Sequence, residues 1–477
     1  MPKRESMSSI DTAWLRMDRP TNPMVILGVM ALEKKLPLVR LRQIIGSRFL
    51  RHARFRDRVA RDGDSAYWER DTRFDLSAHV KRTALPRPAR KPELQDLVSD
   101  LANTPLDPSR PLWQFHLVDE YDGGSALIAR IHHCYADGIA LARVLLSLTD
   151  GAEPDADAPS DLRRDNDGDF LQSWLAPITK TVSSTLKVGG GLLGTYFDIV
   201  LHPAHALDYA RQGIDLTAEA ARLALMPMDS QTRFKGLPTG VKRAAWTDRL
   251  ALHEIKAVGQ AMGCSINDVV LCCAAGALGA YLADHGDPLD GVELRALVPV
   301  NMRPEGEVTG LGNYFGIVAV LLPLGMENPL ERLYEVKRRM LELRASRQAQ
   351  VTLGLLAAVG MGPAALQQRI LDLLVSRASA VMTNVPGPQQ TLYMGGARLK
   401  EILFWVPQSG DIGMGISVMS YDGGVQFGII TDTSLVADPE KIARLFAQQF
   451  EHLLWTALLG SWETPSGPEQ PDRLPPQ

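Results

Sequence analysis

Cysteine is scarce: Cys134, Cys264, Cys272 and Cys273 are the four in 477 residues, two of them adjacent inside an apolar run. That layout resembles no disulfide framework and predicts reduced thiols in a cytosolic protein. Charge of one sign is missing too, because a formal net charge of −4 gives no global attraction for nucleic acid and leaves any anion recognition to local patches. The longest apolar run, Val269 to Ala283, falls short of the roughly 18 to 20 residues that cross a bilayer. Met1-Pro2-Lys3-Arg4-Glu5 leads into polar residues rather than a secretory leader. Membrane association is therefore expected to be peripheral. No HExxH or CxxC spacing supports a metal, and no GxSxG elbow supports a serine acyl-enzyme. Gly189, Gly191 and Gly194 satisfy GxGxxG, but no strand precedes them, so no nicotinamide or flavin cofactor is expected.

What is present is a chain with 45% hydrophobic and 22% charged residues, enough for a sizeable core and too long for one comfortable domain. Its centre of interest is Ile131-His132-His133-Cys134-Tyr135-Ala136-Asp137-Gly138. An apolar run of strand length, Ser125 to Arg130, comes before it, and a helix-like segment, Ile139 to Leu148, follows. Successive strand residues face opposite ways, so His132 and His133 cannot both address one ligand; one works while its neighbour packs. The same divergence argues against a shared zinc and against Cys134 as a nucleophile served by His133. Asp137 lies past a bend, and Gly138 permits backbone angles that a Cβ resists. The motif reads either as a base on a bent support or as two satisfied interior histidines.

Four regions follow from the rest of the chain. Residues 1–150 form an N-terminal subdomain with a strand expected over Met24 to Leu32. Within it, Lys34 to Arg61 carries ten Lys or Arg against one acid, with Arg48, Arg51 and Arg54 at helical spacing. This stretch is either a site for lipid headgroups or coenzyme A phosphates or a solvated face. Residues 151–240 are a linker, first an acidic Asp, Ala and Pro loop expected to be disordered, then loosely amphipathic helices. Residues 241–460 form a C-terminal subdomain. There Ser265 and Asp268 make a variant capping box, and Asn267 sits in the first helical turn, where it caps or favours developing negative charge. Ile412 to Thr431, with Asp422-Gly423-Gly424 inside it, predicts a β-hairpin. Residues 461–477 are a Pro-rich tail.

HHxxxDG is the signature of acyl-CoA-dependent acyltransferases built like chloramphenicol acetyltransferase and of peptide-synthetase condensation domains. Further motifs follow in order: Pro111-Leu112-Trp113, Asn267-Asp268, Pro299-Val300-Asn301-Met302-Arg303, Gly312-Asn313 and Asn384-Val385-Pro386-Gly387-Pro388. With these, the chain from about Ser9 to Leu459 resembles the bacterial wax ester synthase/diacylglycerol acyltransferases.

The resemblance implies an α+β fold of two subdomains, each a mixed sheet flanked by helices, with the active-site tunnel at their interface. It implies His133 as general base within a catalytic set of His133, His132, Asp137 and Gly138, and Arg303 as the buried partner of Asp137. Asn267 and Asp268 serve as oxyanion or supporting groups. Trp113, Thr383 and Asn384 are candidates for the tunnel, although Trp113 suits plain core equally. The family usually carries a histidine in the segment matching Met24-Val25-Ile26, where this chain has Val25, and often a serine where it has Thr383.

The implied reaction is direct transfer, in a ternary complex, from fatty acyl-CoA to a long-chain alcohol or diacylglycerol at a peripheral membrane or lipid-inclusion surface. Acyl-CoA is then a substrate, with no cofactor. A carrier-bound acyl donor, or a lipid-binding scaffold without turnover, are the alternatives.

Overall fold

The computed structural model describes residues 4–63, 65–150, 222–223, 225–301, 315–353 and 375–460. The expected loop and helices of the linker up to residue 221, Gly312-Asn313, Arg303 and the 461–477 tail lie outside them.

In chain order the strands are β1 (Arg4–Ser6), β2 (Val25–Leu32), β3 (Asp57–Asp62), β4 (Ser65–Arg70), β5 (Val80–Thr83), β6 (Trp113–Tyr121), β7 (Gly124–His132), β8 (Lys242–Trp246), β9 (Leu250–Ala251), β10 (Glu293–Asn301), β11 (Phe315–Pro323), β12 (Ala380–Pro386), β13 (Tyr393–Met394), β14 (Ala397–Trp405), β15 (Met414–Tyr421) and β16 (Gly424–Asp432). They assemble into two mixed sheets. One runs β13-β14-β2-β7-β6-β5, the other β11-β10-β12-β15-β16-β8 with β9 paired to β16, and β1-β4-β3 form a small separate sheet. Every residue of β7 is buried, as expected for a central strand covered on both faces.

The helix Ile266–Asp284 starts on a complete capping box, with Ser265 and Asp268 satisfying each other's backbone N–H at 3.2 and 2.9 Å. At 19 residues it is longer than the apolar run suggests and, by length and composition, reaches a membrane span. It is nevertheless buried over most of its length, as a core helix of the C-terminal half.

The two halves are not sequential. β13 and β14 leave the C-terminal half and complete the N-terminal sheet beside β2, so the single block 241–460 expected from sequence is divided between both sheets. Ser417 of β15 donates to the Phe404 carbonyl of β14 where the sheets meet. The helix Lys91–Asn103 binds the halves from the other side: Ser99 accepts from Ala244 N–H at 2.9 Å and Asn103 from Lys242 N–H at 2.7 Å.

Candidate active site

The cleft between the halves holds about 920 Å³ of non-atom space, part of it open to solvent. Trp14, Ile26, His133 and Asp137 contribute from one half, Pro299, Phe315, Thr383 and Asn384 from the other, with Phe404 of β14 and Val406 and Ser409 of the segment that crosses from β14 to β15.

His133 follows the last residue of β7, and its backbone N–H donates to the Met24 carbonyl at 2.8 Å. Its ring stacks on Trp14 at 4.3 Å between centroids and lies 5.6 Å from Phe315. The stacked Trp14 face, with Phe315 tilted against the ring at 53°, thus sets the plane of the imidazole. His132 points the other way, as strand alternation requires. Its Nδ1 accepts from Cys134 N–H at 3.1 Å, which places the proton of the neutral ring on Nε2, 3.8 Å from Asp18 Oδ1. Cys134 is fully buried and burial pushes its thiol well above the usual range, so it supplies no thiolate.

Asp137 is the N-cap of the helix Gly138–Leu146, accepting from Ala140 N–H at 2.8 Å, and is 2% exposed. Its implied partner Arg303 lies outside the described residues. Gly138 carries no positive φ; the constraint on it is spatial, since a Cβ there would sit 3.1 Å from Val406 Cγ1. The conformational reason expected for this glycine is therefore replaced by a packing one.

Asn384 donates through Nδ2 to Asn267 Oδ1 at 2.9 Å, and the buried Asn267 Nδ2 has no hydrogen-bond partner. Asp268 sits behind it as a cap. Thr383 lines the cleft beside Asn384. Trp113 does not: it is fully buried in the N-terminal core, stacked on His79 at 4.3 Å, with its indole N–H donating to the Phe55 carbonyl at 2.8 Å. The tunnel role expected for it is corrected to core packing.

The shared face expected for Arg48, Arg51 and Arg54 is also absent, because the chain there passes from the helix Leu38–Ile44 through a wider turn of helix into a separate short one. Arg48 pairs with Asp150 at 2.5 Å and Arg54 with Glu5 at 2.8 Å. Trp14, Phe315 and Phe404 are cleft residues that sequence reasoning did not single out; nothing in their local pattern separates them from core.

The chain is similar to known proteins over most of its length. The wax ester synthase/diacylglycerol acyltransferase catalytic domain matches residues 7–270, and the C-terminal domain of the same family matches 311–454. The chain is 29% identical over 386 residues, 79% of each sequence, to a putative diacylglycerol O-acyltransferase of Mycobacterium bovis. It is 30% identical over 345 residues, 70% of this chain and 71% of the relative, to one of Mycobacterium tuberculosis. Among solved structures, the wax ester synthase/diacylglycerol acyltransferase from Marinobacter aquaeolei VT8 superposes with a TM-score of 0.65 at 23% identity, over 95% of this chain and 100% of that one. The first condensation domain of the CDA synthetase superposes with a TM-score of 0.55 at 15% identity, over 97% and 99%. The two family-domain matches, with relatives named as diacylglycerol O-acyltransferases, place the chain among the acyltransferases. The chain belongs to the wax ester synthase/diacylglycerol acyltransferase family.

Proposed function

We propose that the protein transfers a fatty acyl group from acyl-CoA to the hydroxyl of a long-chain alcohol or a diacylglycerol, by direct attack in a ternary complex. The observation that carries the reading is the placement of His133 against Trp14 in the wall of an apolar cleft to which both halves contribute. An alcohol does not ionise at neutral pH, so its proton must leave as the oxygen attacks the thioester carbonyl. A neutral imidazole suits that transfer. As the tetrahedral intermediate collapses, the C–S bond breaks and the same imidazolium returns the proton to the departing thiolate.

The developing oxyanion needs a donor. Asn267 Nδ2 is a buried N–H with no hydrogen-bond partner, on a side chain that Asn384 holds from the cleft wall. Asp137 shapes the turn after His133 through its cap. The apolar acceptors suit a protein that works peripherally at an inner-membrane or lipid-inclusion surface.

The test uses palmitoyl-CoA with hexadecanol or a diacylglycerol, follows thiol release and ester product, and runs His133→Ala beside the wild type. The expected loss is on the order of 10²- to 10⁴-fold with the circular dichroism spectrum unchanged. Full activity in the variant refutes His133 as base. A wild type that forms no ester with either acceptor, but does so from a carrier-bound donor, refutes the acyl-CoA reading.

A further inference from the structure

We propose that Lys242 is a positioning residue for acyl transfer, acting through Gln408 to hold from behind the crossing segment that walls the cleft. That segment joins β14 of one sheet to β15 of the other, and Val406, Pro407 and Ser409 of it face the cleft. Gln408 turns away, is 2% exposed, and accepts a hydrogen bond from Lys242 Nζ through Oε1 at 2.6 Å. Lys242 is itself anchored, since Asn103 accepts from its backbone N–H at 2.7 Å and donates to its carbonyl at 3.0 Å. One side chain thus references the cleft wall to the N-terminal helix and the C-terminal sheet together.

Among the described residues, the charge on this lysine has no close counter-ion to justify it. Lys242 is 7% exposed and borders a small apolar cavity with Val25, Leu27, Trp405 and Ile430. Asp432 lies opposite it in the ladder, but the Asp432 carboxylate is taken by Thr239 Oγ1, Gly240 N–H and Ser434. Asp18 is the other acid whose field reaches it. Burial outweighs both and pushes the ammonium down to about 8. A buried cation without a paired carboxylate costs stability that an apolar side chain of similar length does not. A lysine kept there for packing alone is therefore a poor choice, whereas one kept to grip Gln408 is a reasonable one.

Because a hydrogen-bonded pair is claimed, the test is a cycle in the full-length protein: Lys242→Met, Gln408→Met and the double variant, each with melting temperature, kcat and KM for acyl-CoA. Lys242→Met is expected to melt close to the wild-type temperature, because relief of the buried charge offsets the stranded Gln408 Oε1, while kcat falls about ten- to a hundredfold, the scale of a displaced reacting geometry. Gln408→Met should lose a similar factor, and the double variant no more than the worse single. Full activity in Lys242→Met, single losses that multiply in the double variant, or a Lys242→Met melting temperature that drops in step with its activity each overturn the inference; Gln408→Met is expected to melt lower because it leaves the ammonium buried without a partner. It rests on transfer beside His133, so His133→Ala is measured in parallel. An active His133→Ala removes that reading, whereas an inactive His133→Ala beside a fully active Lys242→Met removes only this one.

Discussion

Gly28 is expected to set, through Phe404, how much of the cleft a hydrocarbon chain can use. It lies in β2 directly opposite Phe404 of β14. A Cβ at Gly28 would stand 2.7 and 2.8 Å from Phe404 Cδ1 and Cε1, with Leu145 Cδ1 at 3.4 Å. Carbon atoms rest at about 3.5 to 4.0 Å, so in Gly28→Ala the ring must withdraw by about an ångström. Phe404 is 6% exposed and borders the cleft, which is the direction left open to it. Overpacking of this kind costs about 1 to 3 kcal/mol of stability. A ring that denies the substrate one buried methylene forfeits about 0.8 kcal/mol, roughly a fourfold loss of kcat/KM for the longest chain, and about fifteenfold if two are denied. The assay is kcat/KM across a series of saturated acyl-CoA and alcohol chain lengths, with melting temperature. A shift of the optimum toward shorter chains is expected, reversed when Phe404→Leu is added. An unchanged chain-length profile at unchanged stability refutes the reasoning.

Two predictions concern the frame around the site. The Tyr135 hydroxyl accepts from Leu112 N–H at 3.0 Å and donates to the Asp57 carbonyl at 2.8 Å; Tyr135→Phe strands both and should cost about 1 to 3 kcal/mol in urea denaturation, and no loss would show that water replaces the hydroxyl. His116 is 7% exposed, and burial, reinforced by Arg130 and Lys81, pushes its imidazole down to about 4, against about 6.5 unfolded. Its contribution to stability is therefore full above pH 6.5 and is lost as pH falls toward 4, because only the unfolded chain takes up the proton in that window. Between pH 7 and 5 the wild type should lose about 2 kcal/mol more than His116→Gln; equal losses in the two proteins contradict the assignment.

Which parts of this architecture were legible in the sequence follows from how far apart the interacting residues lie. The hairpin of β15 and β16 could be read locally because Asp422 and Gly423 take φ of 47° and 74°, the left-handed pair that a two-residue turn between antiparallel strands demands. The start of the helix Ile266–Asp284 could be read because a capping box is a four-residue pattern. The opposite facing of His132 and His133 needed only the strand period. By contrast, the arginines of 34–61 share no face because the helix breaks, and hydrophobicity shows that Trp113 is buried without showing against what. No local pattern tells Ala397–Trp405 to leave its own half for a strand hundreds of residues earlier.

That crossing builds the site through parity. Ile26, Gly28 and Phe404 lie on the cleft face of the paired strands β2 and β14, whereas Val25, Leu27 and Trp405 lie on the face that borders the cavity beside Lys242. The absence of the family's usual histidine at Val25 therefore falls on the far side from the cleft. A slip of one residue in β14 would exchange Phe404 for Trp405. The register is set upstream, where Leu399 pairs with Leu32 but Glu401 with Ala31, leaving Lys400 as an extra residue in the strand. The same two-residue alternation that turns His133 toward the cleft and His132 away thus has to be brought into phase with a distant strand, and a single bulge at Lys400 supplies the phase.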